Sequence, residues 1–168
     1  MKIFPFNKAD IQGKEISYIK EATKNASISG DGDFTKKCNL IFETELGIKK
    51  SLLTPSCTHA LEMAAILLDI KPGDEVIVPS FTFVSTINAF VLRGAKPVFI
   101  DIRSDILNID EDQLEKLITL KTKAIIVVHY AGVGCEMNKI MEVANQYKVP
   151  VEVSGRSSEL PPTPLPRF

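Results

Sequence analysis

The chain has 168 residues, 45% of them hydrophobic, with 20 Lys and Arg against 21 Asp and Glu, so it is long and apolar enough to bury one sizeable core. Such an even charge balance excludes the basic footprint that nucleic acid or an anionic membrane would demand of its main partner. No apolar run reaches the ~18 residues of a membrane span, and Met1 to Asn7 lacks the apolar stretch and small-residue cleavage site of an export signal.

A cytoplasmic location is therefore expected. Cys38, Cys57 and Cys135 are odd in number and scattered, and they read as reduced thiols rather than a disulfide framework.

In chain order, residues 13 to 26 read as an amphipathic helix with Ile16 and Ile19 on its apolar face. Residues 27 to 33 form a turn, because two glycines among short polar residues favour positive φ. A second helix over 34 to 46 should end at Gly47 in a left-handed cap. Residues 49 to 54 read as a short strand around Leu52 and Leu53.

A third helix begins near Ser56 and is apolar on almost every side, so burial all round is expected. Lys71-Pro-Gly-Asp74 is a turn, Glu75 to Val78 a strand closed by Pro79, residues 82 to 92 a helix stopped by Gly94, and Pro97 to Ile100 a strand. Asp110 with Gln113 has capping-box spacing for a helix through Ile118. Ala124 to Val128 is a strand rich in β-branched residues and suited to burial on both faces, residues 135 to 147 are a helix, and 149 to 153 a further strand. Strands alternating with helices imply crossover connections, hence an α/β fold with a mostly parallel sheet and helices on both faces.

From Val153 onward the pattern breaks. Residues 153–168 show neither period and carry four prolines among the last eight positions, the composition of a disordered or polyproline-like tail.

Ligands of open parallel sheets bind beyond the carboxyl ends of the strands. Ser56, Cys57 and Thr58 sit at such an end, where a helix start offers free amides and a favourable dipole to a phosphate. The competing reading is that Ser56 or Thr58 only caps a structural helix. Phe81 and Phe83 follow another strand, where an aromatic face can stack on a planar heterocycle or simply pack in the core.

Asp101, at the end of a third strand, suits either a ligand hydroxyl or a loop cap. Cys57, His59, His129 and Cys135 lack paired metal-ligand spacing, so no metal site is expected. No G-x-G-x-x-G, Walker loop or G-x-S-x-G occurs.

Several stretches taken together carry a resemblance: Gly30 to Thr35, Leu53-Thr-Pro-Ser-Cys-Thr58, Ala60-Leu-Glu-Met-Ala-Ala65, Pro72 to Val76, Pro79-Ser-Phe-Thr-Phe-Val-Ser-Thr86, Asn88 to Ala95, Asn108-Ile-Asp110 and Val128-His-Tyr-Ala-Gly132. Over residues 1 to 152 the chain resembles the DegT-type sugar aminotransferases, and within them the dTDP-4-amino-4,6-dideoxygalactose transaminases of bacterial surface-polysaccharide synthesis, such as lipopolysaccharide or enterobacterial common antigen.

The resemblance implies part of the large domain of the aspartate-aminotransferase fold (PLP fold type I), a pyridoxal 5′-phosphate cofactor and a homodimer. It also implies transfer of an amino group from glutamate to a nucleotide-linked 4-keto-6-deoxy sugar. It makes Ser56, Cys57 and Thr58 the phosphate grip and Phe83 the residue stacked on the pyridine ring.

Two departures count against turnover. The family motif Val-Glu-Asp-Ala-Ala-Gln supplies an Asp to the pyridinium nitrogen; here Val151-Glu152 fits, but Val153 stands where that Asp belongs. The family's cofactor-bearing lysine lies further downstream, and no residue of this chain matches it. These departures imply no assignable catalytic residue, impaired cofactor retention, and an N-terminal portion over 1–152 joined by a frameshift, read-through or misassigned gene end to an unrelated tail. An isolated chain of this kind should be marginally stable, and either inert or a partner for a full-length homologue.

Overall fold

The computed structural model describes residues 9, 11–26 and 28–154, and the chain divides into two units, 1–53 and 54–168. The first holds α1 (Glu15–Lys24) and α2 (Asp33–Glu45). Tyr18 of α1 meets Phe34 of α2 with ring centroids 5.3 Å apart, and Lys37 stands 4.8 Å above the Phe34 ring.

Gly47 takes the expected left-handed conformation, φ 62°, just past the end of α2. In the turn before α2, however, Asp31 adopts positive φ (58°) and the flanking Gly32 does not (φ −74°). Asp tolerates this region because its short polar side chain can bond locally.

The expected strand at 49–54 is absent. No neighbouring strand pairs with it among the described residues; instead the Ser51 N–H donates to Glu43 Oε1 at 2.9 Å, while Leu52 and Leu53 stay exposed. A strand needs a ladder partner for its amides.

The second unit carries α3 (Cys57–Leu67), β1 (Glu75–Pro79), α4 (Ser85–Val91), β2 (Lys96–Ile100), α5 (Leu114–Leu117), β3 (Thr122–Val128), α6 (Met137–Tyr147) and β4 (Val151–Ser154). The strands form one parallel sheet in the order β2-β1-β3-β4, with Ile77 opposite Val98 and Ile125, and Ile125 opposite Val151. Alternation divides the core in two. Val76, Val78, Ala124 and Ile126 pack on one face with Leu61, Ala65, Ile87 and Phe90 of α3 and α4, while Ile77, Ile125 and Val127 pack on the other with Leu114, Ile140 and Ala144 of α5 and α6.

Largely buried central strands, β1 and β3, flanked by crossover helices are the α/β arrangement that the residue pattern predicts. At Gly94, φ is +90°, and a Cβ there would lie 2.8 Å from the Pro72 Cα, so only glycine fits this approach of α4 to the 71–74 turn.

Two expectations need correction. Only Leu61 and Ala65 of α3 are fully buried, Ala60 and residues 62–64 are half-buried, and Leu67 is 63% exposed; the helix buries one side and leaves Ile66 and Leu67 open. The Asp110 and Gln113 pair does not form a reciprocal box either. Asp110 accepts from the Asp112 N–H at 3.2 Å and from the Gln113 side chain, its own N–H goes to the Asp101 carbonyl, and the segment starts as a 3₁₀ turn over Glu111–Gln113. Once a tertiary acceptor holds the Asp110 amide, the glutamine has no donor to reach back to.

Strand β4 continues through Val153 and Ser154, with Val153 opposite Val127. The proline-rich positions of the expected tail, 155–168, lie outside the described residues.

Candidate functional site

The candidate residues lie at the start of α3, which no strand among the described residues precedes, and in the turns that follow β1 and β3. Ser56 is extended (φ −158°, ψ 162°) and caps α3: its Oγ accepts from the His59 N–H at 3.2 Å and stands 2.8 Å from His59 Nδ1. This is the capping role that was the competing reading of Ser56. It leaves the next two amides, those of Cys57 and Thr58, without intrahelical acceptors, as the first turn of any helix must.

Cys57 and Thr58 are exposed. Cys57 Sγ lies 4.0 Å from Ser154 Oγ, which sets the start of α3 beside the carboxyl end of β4.

After β1, Ser80 bonds through its N–H to the Ile100 carbonyl at 2.8 Å, and the chain turns through Phe81, Thr82 and Phe83 into α4. Thr82 Oγ1 and Thr86 Oγ1 are 2.9 Å apart across this turn. The two phenylalanines are not core residues: Phe83 is 73% exposed and Phe81 is partly exposed. Phe81 packs against Tyr130, with centroids 5.0 Å apart and planes at 55°, the tilted geometry that aromatic quadrupoles favour.

At the end of β3, His129 is buried. Its N–H donates to the Ser154 carbonyl at 3.0 Å and its Nδ1 accepts from the Cys135 N–H at 3.1 Å. Burial lowers its pKa and keeps the ring neutral. The Cys135 thiol donates to the Val128 carbonyl at 3.3 Å, and burial pushes its pKa up to about 11, so it is an unreactive packing thiol. Among the described residues no group of three or more His, Cys, Asp and Glu is arranged for a metal. Asp101 Oδ1 accepts from the neighbouring Ile102 N–H at 2.8 Å, a local loop contact.

In β4, Val153 packs among the α5 and α6 side chains. Glu152, on the other face, has one carboxylate oxygen enclosed without a partner, and burial raises its pKa to about 7. Asn108, Tyr130 and Ser154 belong to this end of the sheet but had no chemical role assigned from residue type. Asn108 and Tyr130 each belong to a motif of the family resemblance, and that was the one signal pointing to them.

A mostly parallel four-stranded sheet flanked by helices is part of the large-domain architecture of the PLP fold type I aminotransferases, which the chain shares with solved structures. Residues 9–152 match the model of the DegT/DnrJ/EryC1/StrS aminotransferase family, and the chain belongs to that family.

It is 35% identical over 150 residues to the UDP-4-amino-4-deoxy-L-arabinose–oxoglutarate aminotransferase of Shewanella sediminis, covering 89% of this chain and 38% of that protein. It is 38% identical over 139 residues to the GDP-perosamine synthase of Caulobacter vibrioides, covering 83% and 38%. The structure of NtdA from Bacillus subtilis with bound cofactor PMP superposes with a TM-score of 0.78 at 31% identity, covering 82% of this chain and 32% of that one. The chain thus spans well under half the length of these relatives.

Proposed function

We propose that this chain supplies the phosphate and ring-stacking portion of the cofactor site of a nucleotide-sugar aminotransferase. The observation that carries the reading is the α3 start: two amides without intrahelical acceptors and the hydroxyls of Ser56 and Thr58 lie at the same end of the sheet as the exposed Phe83. That donor set fits pyridoxal 5′-phosphate. The Cys57 and Thr58 amides and the α3 dipole receive the dianion, the Thr58 hydroxyl adds a donor, and Phe83 offers a face to the ring. When bound, the cofactor supplies the electron sink for amino transfer, while these residues bind and orient it.

The substrate we infer is a nucleotide-linked 4-keto-6-deoxy sugar, with glutamate as donor and a homodimer as the working form. Two relatives named for amino-sugar nucleotides, one of them also for oxoglutarate, support that class. The dTDP-linked galactose subtype rests on the residue-level resemblance.

Val153 packs a half-buried apolar side chain against the core where the family places an acid, so we expect weakened, non-covalent cofactor binding without turnover. Pyridoxal phosphate and glutamate added to the purified chain should yield no 2-oxoglutarate, whereas pyridoxamine phosphate should bind and Ser56→Ala weaken it. Steady release of 2-oxoglutarate would overturn the expected inactivity, and failure to bind would overturn the cofactor reading.

The uncovered Ile66, Leu67 and Leu92 favour a second role, pairing with a full-length relative. Co-purification with such a relative, lost on replacing Leu67 and Leu92 by Ser, is its test.

A further inference from the structure

We infer that Asn108 is a positioning residue for the ring-stacking side of this site, an inference that rests on the cofactor reading above. Its side chain is 1% exposed and makes three hydrogen bonds to one loop. Oδ1 accepts from the Tyr130 N–H at 2.9 Å, and Nδ2 donates to the carbonyls of Val133 and Gly134, each at 3.0 Å. The amide orientation follows from these partners, because a flipped side chain would set N–H against N–H and carbonyl against carbonyl.

The loop needs such an external tie. It leaves β3 through Ala131 at φ 51°, a left-handed conformation that an alanine does not adopt for its own sake.

Asn108 is itself fixed from behind. The segment doubles back between Ile102 and Ile109, with the Arg103 N–H donating to the Asn108 carbonyl at 2.8 Å and the Leu107 N–H to the Arg103 carbonyl at 2.9 Å. Leu107 sits at φ 60°, a bulky residue in the left-handed region, and Arg103 Nη1 reaches the buried Glu111 Oε1 at 3.2 Å. Strain of this kind persists only where the surroundings over-determine the backbone.

What the tie delivers is Tyr130. Its ring packs on Phe81 at 5.0 Å, and Phe81 stands two residues before Phe83 in the turn that presents the exposed ring. Asn108 therefore holds Tyr130, Tyr130 backs Phe81, and Phe81 steadies the turn that offers Phe83 to a cofactor ring. None of these contacts touches the phosphate end at Ser56, Cys57 and Thr58, so Asn108 should affect ring binding and leave phosphate binding alone.

The test uses the full chain with two probes, inorganic phosphate and pyridoxamine 5′-phosphate, which has no aldehyde to react with surface lysines. Asn108→Asp keeps the acceptor for the Tyr130 N–H and replaces both donors by oxygen. It should abolish the Phe81–Tyr130 ring cross-peaks in NMR spectra and weaken pyridoxamine phosphate about fivefold or more, the scale of one aromatic contact, with phosphate affinity unchanged. Phe81→Leu, at a partly exposed site that does not endanger folding, should reproduce the selective loss with Asn108 intact.

Persisting cross-peaks with unchanged affinity in folded Asn108→Asp would overturn the inference. So would equal weakening of both probes, or a Phe81→Leu chain that binds pyridoxamine phosphate as well as the parent. If the parent chain binds neither probe, the cofactor reading falls, and the ring cross-peaks alone decide whether Asn108 positions Tyr130.

Discussion

Helical periodicity is equally plain in α1 and in α6, yet the two regions that hold them use it differently. In the sheet unit, α6 sets Ile140 and Ala144 against Ile125 and Val127, and each face of β1 and β3 is sealed by helices. In the helical unit no described residue of α1 or α2 is buried; Ile19 is 60% exposed, and the visible ties are one ring pair and surface ion pairs such as Lys37 with Glu21 at 3.5 Å. Periodicity thus states which face a helix would bury, and burial waits for something to cover it. Apolar area removed from water is what stabilises, so resistance to unfolding should reside almost wholly in 54–168.

The largest test of that contrast is Phe90→Ala. This ring is fully enclosed between α4 and the sheet, and its loss should cost about 3–5 kcal/mol, read as a fall in the denaturant midpoint. Gly94→Ala follows: positive φ and a 2.8 Å approach to Pro72 Cα leave no room for Cβ, and a loss of about 2 kcal/mol is expected.

Glu152 gives the third. Its folded pKa of about 7 lies above the ordinary value of 4.5, so its contribution is fully present at pH values below 4.5 and is lost as pH rises through about 7. Chemical denaturation at pH 5 and pH 8 should differ by on the order of 2 kcal/mol from this group, and Glu152→Gln should flatten that part of the profile. At the other extreme, Ile19→Ala in α1 should shift stability by less than about 0.5 kcal/mol. A cost near that of Phe90→Ala would show that α1 is covered after all and break the contrast between the units.

The site divides along a similar line. Ser56, Cys57, Thr58 and Phe83 stood out as candidates because a Pro-braked turn leads into a hydroxyl-rich helix start and an aromatic turn follows β1, local order that needs no fold to be seen. Whether Ser56 caps its helix or meets a ligand was not legible, since both uses ask for the same residue; the structure shows the cap, made with His59. Asn108 and Tyr130, 22 positions apart, meet only because β3 ends beside the doubled-back segment after β2, and no local spacing encodes that meeting.

By itself the sequence determined the strands at 75–78, 97–100 and 124–128, each one or two residues short of its observed length, the helices between them, the parallel α/β class and the family, since hydrophobic period and turn chemistry are local and motif order survives divergence. Tertiary structure alone decided the rest. It left 49–54 without a strand partner, buried one stripe of α3 instead of the whole helix, packed Val153 against the core, and tied Asn108 to the loop behind Phe81. Each of these depends on which distant group supplies a hydrogen bond or covers an apolar face, and that is a property of the folded chain.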